Sequence, residues 1–506
     1  MTDKDKLPIL VGAGQHTWRD IDFTRSPTDA LEVAARNALD DCHCSAIGKA
    51  IDALVNVRFV ADTNPGAGAL FPRRPAAEVA RRLGIEDPAL YLGPIGGNTP
   101  QYLVNRFARM LMSGAHNAVL LSGAELMATF FAALKQGGDI AHWADQGQAE
   151  PTAIGEERDG LTAQELAHGL YEPINTYPLF ENALRHHLGH NRSQHNADIA
   201  ELSSRMSAVA ANNPHAWRQD AYSAEEIATV ARNNRYVGYP YTRRMNALLE
   251  VDMAAAIVMT TVGTARSLGI PEEQWVYYRG GVDLHDIWYP SERPELHSSP
   301  AIKLGWETLS ANSGLALDDI SHFDIYSCFP SAVEISCHAI GLSPLDGRNV
   351  TVTGGLPYFG GPGNNYSLHA IAQMMESLRS IPDGTGLITA NGLYLTKHSL
   401  GLYSRVPGDE LPEAVTPAAL QESLQRGPRV TVANNPQGEA TVETYTVAFD
   451  RDGPKQGILI ARNDAGERIV ANSKNDPITL EQLLETDPIG QRGRIHIDGD
   501  LSIMEL

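Results

Sequence analysis

The chain has 506 residues, a formal net charge of −21 and 43% hydrophobic residues, which predicts a soluble globular protein of two or three domains. The acidic balance argues against a nucleic-acid binder and against a protein that binds anionic membranes, because both need a basic face. No apolar run reaches the ~18 residues of a transmembrane helix. The start of the chain, Met1–Leu7, lacks the apolar core of a signal peptide, so we expect a cytoplasmic protein with no membrane insertion.

The first 124 residues alternate strands with helices. This order indicates parallel β-α-β units that are covered on both faces. The Gly12-Ala-Gly14 pair after the first strand lacks the third glycine of a dinucleotide-binding fingerprint. The predicted strands are Pro8–Gly14, Ile51–Val60, Ala89–Leu92 and Asn117–Gly123, and the predicted helices are 28–40, Pro75–Leu83 and Leu103–Met112.

The sequence also contains thiols that resemble a metal motif. Cys42-His43-Cys44 has no second ligand pair at zinc-site spacing, and four cysteines are too few for a disulfide framework. We therefore expect no bound metal and incidental or buried thiols.

The strand–helix pattern breaks over residues 125–245, which are rich in His, Asn, Arg and Tyr. An insertion of this length usually builds a ligand-binding surface. Arg243 and Arg244 are candidates for phosphate contacts, and salt bridges within an acidic protein are the open alternative.

A second copy of the α/β pattern follows the insertion. Residues 246–270 return to the first half, with a strand at Val251–Met259, and residues 271–407 form the second half. Two similar halves offer a ligand site between them. The predicted elements of the second half are strands Trp275–Val282, Phe323–Tyr326, Gly386–Gly392 and Gly401–Tyr403, and helices Ala301–Asn312 and Ala332–Ile340.

A glycine-rich turn lies between the β-branched run Val350–Thr353, which predicts a strand, and a predicted helix at Tyr366–Leu378. Glycine lets the backbone turn sharply and approach a ligand, and a helix start offers unpaired N–H groups to an oxygen anion. We expect this turn to line a site, although a strand–helix connection that merely needs glycine is the simpler alternative. The candidate ligand contacts in it are Gly360, Gly361, Gly363 and Asn364.

The last part of the chain is predicted to be all β. A Pro- and acid-rich linker at Val406–Pro412 precedes it, and Asp450-Arg-Asp-Gly453 between alternating strands predicts a hairpin. Residues 413–506 therefore form a small barrel. Its predicted strands are Arg429–Val432, Ala440–Phe449, Lys455–Arg462, Arg468–Val470 and Arg494–Ile497.

Three stretches carry a resemblance to the thiolase superfamily, over about residues 6–407. They are Asn105–Gly114, Tyr326-Ser-Cys-Phe-Pro330 and Gly354–Pro362. The resemblance implies duplicated α/β halves layered αβαβα, and the added β domain is similar to the oligonucleotide-binding-type domain of thiolase-like proteins of type 1. It also implies an acyl-CoA or acyl-carrier thioester as ligand, coenzyme A as part of the substrate, no tightly bound cofactor, and a monomer or homodimer.

The residues implied as catalytic by the resemblance are all changed. The position of the nucleophilic Cys is Asn98, and an amide cannot form a thioester. Tyr326 stands where the family has the Asn or His that holds a water, and Gly361 stands where the family has the His of Gly-His-Pro. The last Cys corresponds to Ala390 or Asn391, and a shifted alignment makes His398 the family's histidine.

These changes leave three hypotheses open. The first is an acyltransferase-class or other carbon–carbon bond enzyme without the thiolase mechanism, with Tyr326, Tyr358 or His398 moving a proton. The second is a non-catalytic protein that binds acyl-CoA or an acyl carrier, and the third is an aldolase-type lyase. Cys328 is the one thiol in a family motif, and we interpret it as buried packing.

Overall fold

The structure is a computed structural model, and it describes residues 3–62, 64, 66–144, 149–408 and 417–506. The first half begins with strands and helices close to those predicted. Pro75–Leu83 and Ala89–Leu92 have the predicted bounds, whereas the strand predicted at Ile51–Val60 is only four residues long. The elements are β1 (Pro8–Trp18), α1 (Pro27–Asp41), α2 (Ile47–Ala50), β2 (Ala53–Asn56), α3 (Pro75–Leu83), β3 (Ala89–Leu92), α4 (Thr99–Met112) and β4 (Ala118–Leu126).

The insertion is mainly helical. It contains α5 (Met127–Gln136), β5 (Thr152–Ala153), α6 (Ala163–Ala167), α7 (Pro173–His187), α8 (Arg192–Ala211), α9 (Ala224–Ala228), β6 (Tyr236–Gly238) and β7 (Tyr241–Thr242). Capping boxes begin α6 and α9, where Thr162 and Ser223 accept from the backbone N–H of the glutamate three residues later.

The chain then returns to the sheet and builds the second half. The returning segment contains β8 (Asp252–Thr261) and α10 (Val262–Leu268), which complete the first half. The elements of the second half are β9 (Val276–His285), α11 (Pro300–Ser313), β10 (His322–Asp324), α12 (Pro330–Ile340), α13 (Tyr366–Arg379), β11 (Thr385–Gly392) and β12 (Lys397–Ser404).

The body has one mixed sheet in the order β10-β11-β12-β9-β1-β8-β4-β2-β3-β5. Parallel pairing is confirmed for β2 with β3 and β4, but the expectation is wrong for β8, which is antiparallel to β1 and β4. It is also wrong for β12, which is antiparallel to β11 and β9. The physical reason is that the insertion returns the chain to the edge where β4 ends, and a short turn joins β11 to β12.

The two halves meet around two buried helices. Strands β1 and β9 pair only through Ile9–Tyr277 and Leu10–Val276. Helix α4 contacts β8, β9, β11 and β12, and α13 contacts β1, β8 and β11, whereas α1 and α11 cover the sheet from outside. The result is the layered αβαβα arrangement, in which the N-terminal ends of the inner helices and the carboxyl ends of several strands converge.

The C-terminal part closes into a five-stranded barrel. Its elements are α14 (Pro417–Gln425), β13 (Gly438–Phe449), β14 (Pro454–Asn463), β15 (Arg468–Ser473), α15 (Pro477–Glu485), β16 (Arg492–Asp498) and β17 (Leu501–Glu505). The ring runs β13-β14-β15-β17-β16 and closes on β13, with β15 and β17 parallel. The hairpin at Asp450–Gly453 is confirmed, since Asp450 donates its N–H to the Gly453 carbonyl at 3.0 Å.

Two details of the barrel differ from the sequence prediction. Arg429–Val432 is not a strand, because only Val432 forms an isolated bridge, to Arg468, and neither α15 nor β17 was expected. Residues 409–412 of the predicted linker and the boundary at residue 413 lie outside the described residues, so the domain limits stay a prediction.

The barrel packs on the body through apolar and polar contacts. Ile458, Ile460 and Val470 belong to the hydrophobic core of the body, and Ala448 of β13 pairs with Gly238 of β6. Buried Arg468 donates to the carbonyl oxygens of Ser291, Arg293 and Pro294. The insertion and the second half therefore both hold the barrel.

No helix in the described ranges has the length and apolar character needed to cross a bilayer.

Candidate functional site

Asn98 marks the start of inner helix α4. It has backbone angles φ −77° and ψ −14° and makes no side-chain capping bond, and Pro100 follows in the first turn, where a missing N–H costs nothing. The Asn98 side chain is 7% exposed and donates its amide to Ser399 Oγ at 3.2 Å. Its Oδ1 is buried without a hydrogen-bond partner, so this acceptor is unsatisfied within the protein.

A cavity of about 440 Å³ opens at Asn98. Its size suits part of a small-molecule ligand. Helix α4, the end of β9, the start of β12 and residues 155–156 of the insertion form its wall. The lining includes Tyr102, Arg106, Arg109, Asp283, His285, Trp288, Lys397, His398 and Gln421.

Charged groups of both signs line this cavity. Burial raises the pKa of Asp283 to about 6, although nearby Arg109 and a hydrogen bond from Asn105 favour its charged form. Arg109 lies 3.6 Å from Asp283, and Asn105 donates to it at 2.8 Å. Arginines suit the carboxylates and phosphates of anionic ligands, so Arg106 and Arg109 give the cavity a cationic wall.

Lys397, the first residue of β12, lies close to Asn98 and was not named by the sequence interpretation. Its ammonium donates to the Ile95 carbonyl oxygen, and burial lowers its pKa to about 8. Lys397 also lines a second cavity of about 550 Å³, beside residues 156–160 and Leu393. It therefore separates two neighbouring spaces.

A second polar group surrounds Asn391, near the end of β11. Asn391 donates to the Tyr177 hydroxyl at 2.8 Å, and that hydroxyl donates to the Leu393 carbonyl at 3.1 Å and accepts from Leu395 N–H at 3.1 Å. Tyr177 thus holds the β11–β12 turn. The Cys328 sulfur lies 3.9 Å from the Asn391 amide, and burial raises the pKa of this thiol to about 12, which leaves it without nucleophilic thiolate near neutral pH.

Tyr326 reaches toward both groups. Its ring lies edge-on to Tyr366, 5.5 Å between centroids, and burial raises the pKa of its hydroxyl above the ordinary value. A Cβ on Gly97 would lie 2.0 Å from the Tyr326 hydroxyl and 2.6 Å from the Asn391 carbonyl oxygen, so only glycine fits there. Tyr326, Asn391 and the turn before Asn98 are therefore in contact.

His398 is directly opposite Asn391 across β11 and β12. It is 1% exposed, and its Nε2 lies 3.1 Å from an Asp286 carboxylate oxygen. Ser299 donates to the same carboxylate at 2.5 Å. His398 Nδ1 is buried without a partner, and the histidine–carboxylate pair positions the ring by the cavity wall.

The glycine turn is organised by a carboxylate instead of a strand. Thr351 Oγ1 and the N–H groups of Val352 and Thr353 donate to Asp324 Oδ2 at 2.8 to 3.2 Å. The predicted strand at Val350–Thr353 is wrong, because these buried donors pair with the carboxylate and not with a neighbouring strand.

The same turn contacts the start of α4 through Asn364. Its Oδ1 accepts from Gly96 N–H at 2.9 Å, and its amide donates to the Arg58 carbonyl at 2.8 Å. Gly361 donates its N–H to the Leu248 carbonyl at 2.8 Å, so this N–H is already paired. Gly360 and Gly363 have positive φ angles of 121° and 49°.

Glu125, at the end of β4, lies against Gly363. Its Oε1 accepts from Val60 N–H at 2.7 Å, and its Oε2 is buried without a partner. Burial raises the pKa of Glu125 to about 8, so this carboxyl group is mostly protonated at neutral pH.

Arg243 and Arg244 are not part of the Asn98 cavity wall. Arg244 donates to the Glu226 carbonyl at 2.7 Å, and its guanidinium lies 4.5 Å from the centre of the Tyr222 ring. In the structure Arg244 supports the insertion, and Arg106 and Arg109 are the arginines that line the cavity.

A buried carboxyl cluster lies outside the cavity. Glu181, His195 and Glu334 each offer one atom within 4.8 Å of the others, but His195 Nε2 and the Tyr241 hydroxyl already contact Glu181 at 2.6 Å each. Burial and the Glu181 charge raise the pKa of Glu334 well above its ordinary value. A protonated Glu334 beside ionised Glu181 explains this cluster as a core network.

The residues that sequence reasoning missed lie beside those it named. Lys397 precedes His398, and Asp283 and Asp286 flank the end of β9. The available signal was a lysine at the start of a strand that otherwise contains His398 and apolar or small residues, because lysines are seldom found in such strands.

The layered αβαβα body, with inner helices α4 and α13 meeting at Asn98 and the glycine turn, defines a thiolase-like protein. Residues 419–500 match the family described as the thiolase-like protein type 1 additional C-terminal domain. A crystal structure of a monomeric SCP2-thiolase-like protein type 1 from Mycobacterium smegmatis is 33% identical, with 100% of both chains covered and a TM-score of 0.85. The chain therefore belongs to the SCP2-thiolase-like proteins of type 1.

More distant structures share the fold of the body. The Ltp2-ChsH2(DUF35) aldolase is 18% identical over 79% of this chain and 98% of its own, with a TM-score of 0.58. The Acat5 thiolase from Ascaris suum, in complex with coenzyme A, is 15% identical over 79% of this chain and 100% of its own, with a TM-score of 0.55. No curated protein sequence matches this chain.

Proposed function

We propose that this protein binds an acyl thioester with its acyl end in the Asn98 cavity, and that it acts there without a cysteine nucleophile. The reaction is of the acyltransferase class or another carbon–carbon bond reaction. Coenzyme A or a carrier enters as part of the substrate and is not a resident cofactor.

The observation that carries this proposal is the unpaired, buried Asn98 Oδ1 at the start of α4, beside the Lys397 ammonium and an open cavity. The ammonium group can donate to a carbonyl oxygen and polarise it, and in a site of low dielectric this effect is larger than in water. The Asn98 Oδ1 can only accept, so its partner would be an N–H or O–H group of the ligand. Arg106 and Arg109 supply positive charge for the anionic part of the ligand.

A non-catalytic acyl-CoA or acyl-carrier binding protein is the second candidate. It is favoured by the Cys328 thiol, whose pKa burial raises to about 12, because no reactive thiolate then stands near Asn391. Binding without turnover would support it.

The test is calorimetric titration of acetoacetyl-CoA into the wild type, Asn98→Leu and Asn212→Leu. Asn212 ends α8 and donates only to the Ala208 carbonyl on an exposed surface, so it is a matched control. We expect Asn98→Leu to weaken binding at least about tenfold, since one buried polar contact to a ligand is worth about 1.4 kcal/mol or more. Equal affinity for all three proteins, or no binding to the wild type, would refute the proposal.

A further inference from the structure

The Lys397 side chain is enclosed by the protein backbone to an extent that is rare for a lysine. Its side chain passes between two backbone segments: a Cβ on Gly96 would lie 2.9 Å from Nζ and 3.0 Å from Cε, and one on Gly392 would lie 3.1 Å from Cε. Two glycines from distant parts of the chain therefore admit this side chain to the interior. Within the described ranges, no carboxylate oxygen forms an ion pair with its Nζ at 4.0 Å or less.

The acceptors around Lys397 are neutral oxygens. Its Nζ donates to the Ile95 carbonyl. Asn98 Oδ1 lies 2.6 Å from the same Gly96 Cβ position and 2.4 Å from the Gly392 one, so amide oxygen and ammonium are close neighbours. Both residues line the same cavity, and exposed Glu156 is part of its wall.

This environment favours the neutral amine relative to an ordinary lysine. Burial lowers the pKa of Lys397 from 10.5 to about 8, although Glu157 and Glu156 oppose the shift. At pH 7 about one tenth of such a group is neutral, against about three in ten thousand for an exposed lysine. A desolvated lysine of this kind can act as a nucleophile toward a carbonyl.

We propose that Lys397 forms an imine with a ketone or aldehyde group of the ligand, which makes the substrate class a keto-acyl compound. The proposal deepens the proposed function, on which it rests for the thioester part of the ligand. The cavity at Asn98, the two flanking glycines and the neutral carbonyl acceptor of Nζ at Ile95 carry it.

The step balances without any further reactant. The neutral Nζ attacks the carbonyl carbon, the carbonyl oxygen takes a proton, and the resulting carbinolamine loses water to give an iminium. Overall, the Lys397 ammonium and one carbonyl group react to give the iminium and one water molecule. The Asn98 amide oxygen can accept from the carbinolamine hydroxyl or the iminium N–H. An iminium withdraws electrons from the adjacent carbon–carbon bond, as carbon–carbon bond chemistry requires.

The experiment is reductive trapping on the full-length protein. The wild type, Lys397→Arg and Lys303→Arg are incubated with the acetoacetyl thioester of N-acetylcysteamine, and in parallel with acetone, in the presence of cyanoborohydride. Peptide mass spectrometry then locates the secondary amine. Lys303 is an exposed lysine on α11 and serves as the matched control.

We expect the adduct on Lys397 to form at least tenfold faster than on Lys303 at pH 7, and its rate to rise toward a plateau above about pH 8. The Lys303→Arg protein should be labelled like the wild type. Labelling of Lys397 no faster than that of Lys303, or none, overturns the proposal. Since the wild type itself is mapped, a Lys397→Arg protein that fails to fold does not affect this result.

The two ligands separate failure of this inference from failure of the proposed function. Trapping of acetone without binding of the thioester would refute the acyl-thioester function and leave the imine chemistry standing. Binding of the thioester without any trapped adduct would refute the imine and leave the proposed function standing.

Discussion

Replacing Arg468 by methionine should weaken the packing of the barrel on the body. Arg468 is 1% exposed. Its guanidinium donates to three backbone carbonyls, those of Ser291 and Pro294 at 3.2 Å each and that of Arg293. It also donates to the Glu443 carboxylate at 2.7 Å. Methionine keeps most of the apolar stem but supplies no donor. At least two buried carbonyls are then unsatisfied at about 1–3 kcal/mol each, so we expect a loss of about 3 kcal/mol in the free energy of unfolding.

Arg462→Met is the matched control. Arg462 pairs with the same Glu443 at 2.7 Å, but its side chain is 32% exposed, and an exposed ion pair is worth about 0–1 kcal/mol. Urea unfolding is followed by circular dichroism, and hydrogen exchange of the barrel strands is measured alongside because a chain of two domains need not unfold in one step. Equal losses in the two variants, or a loss below about 1 kcal/mol for Arg468→Met, would refute this reasoning.

Three further predictions concern the site. Gly97→Ala should destabilise the protein by about 1–3 kcal/mol in a thermal scan, since the new Cβ would lie 2.0 Å from the Tyr326 hydroxyl. Gly48→Ala is the control, because Gly48 has open space around it, and it should be neutral in the same scan. The Glu125 pKa of about 8 lies above its ordinary value of 4.5. Between these two pH values the folded protein keeps a proton on Glu125 that the unfolded chain has lost, so the free energy of unfolding falls as the pH rises, by up to about 1.4 kcal/mol per pH unit. Glu125→Gln should remove that slope from urea unfolding measured at pH 5 to 8, and an unchanged slope would contradict the assignment. Cys328 should resist iodoacetamide at pH 8 in the native protein and react once the protein is unfolded in urea; rapid native alkylation would show a reactive thiolate.

Hydrophobic periodicity and helix-start signals located most elements of the body. Pro75 at the first helical position and apolar spacing up to Leu83 fixed α3, and the apolar run at Val251–Met259 marked β8. The direction of the strands could not be predicted in this way, because the hydrophobic pattern of β8 or β12 is the same whether the neighbouring strands are parallel or antiparallel. It depends on where the insertion returns the chain.

Local propensity misled at Val350–Thr353. β-Branched residues favour strands, but here they surround the buried carboxylate of Asp324, which takes their N–H and hydroxyl groups. Such a partner lies more than twenty residues away in sequence and leaves no periodic signal. The same holds for the hydroxyl of Tyr177, which holds the β11–β12 turn from within the insertion.

In the candidate site, too, sequence motifs indicated some residues and only the fold revealed others. The sequence named Asn98, Tyr326 and Asn391 because a family motif marks their positions, and the structure brings Tyr326 and Asn391 to Gly97, the residue before Asn98. Lys397 carries no motif, and its burial depends on Gly96 and Gly392, which come from different halves of the protein. Its low pKa is a tertiary property, so only the fold reveals it.

The most direct test of the central claim is a crystal structure of the protein soaked with acetoacetyl-CoA. We predict density for the acyl group in the cavity at Asn98, with a carbonyl oxygen within hydrogen-bonding distance of the Lys397 ammonium and the phosphates toward Arg106 and Arg109. Density for the acyl group at another surface, for example the groove lined by Asn212 and Asn349, or an empty Asn98 cavity at saturating ligand, would contradict the account.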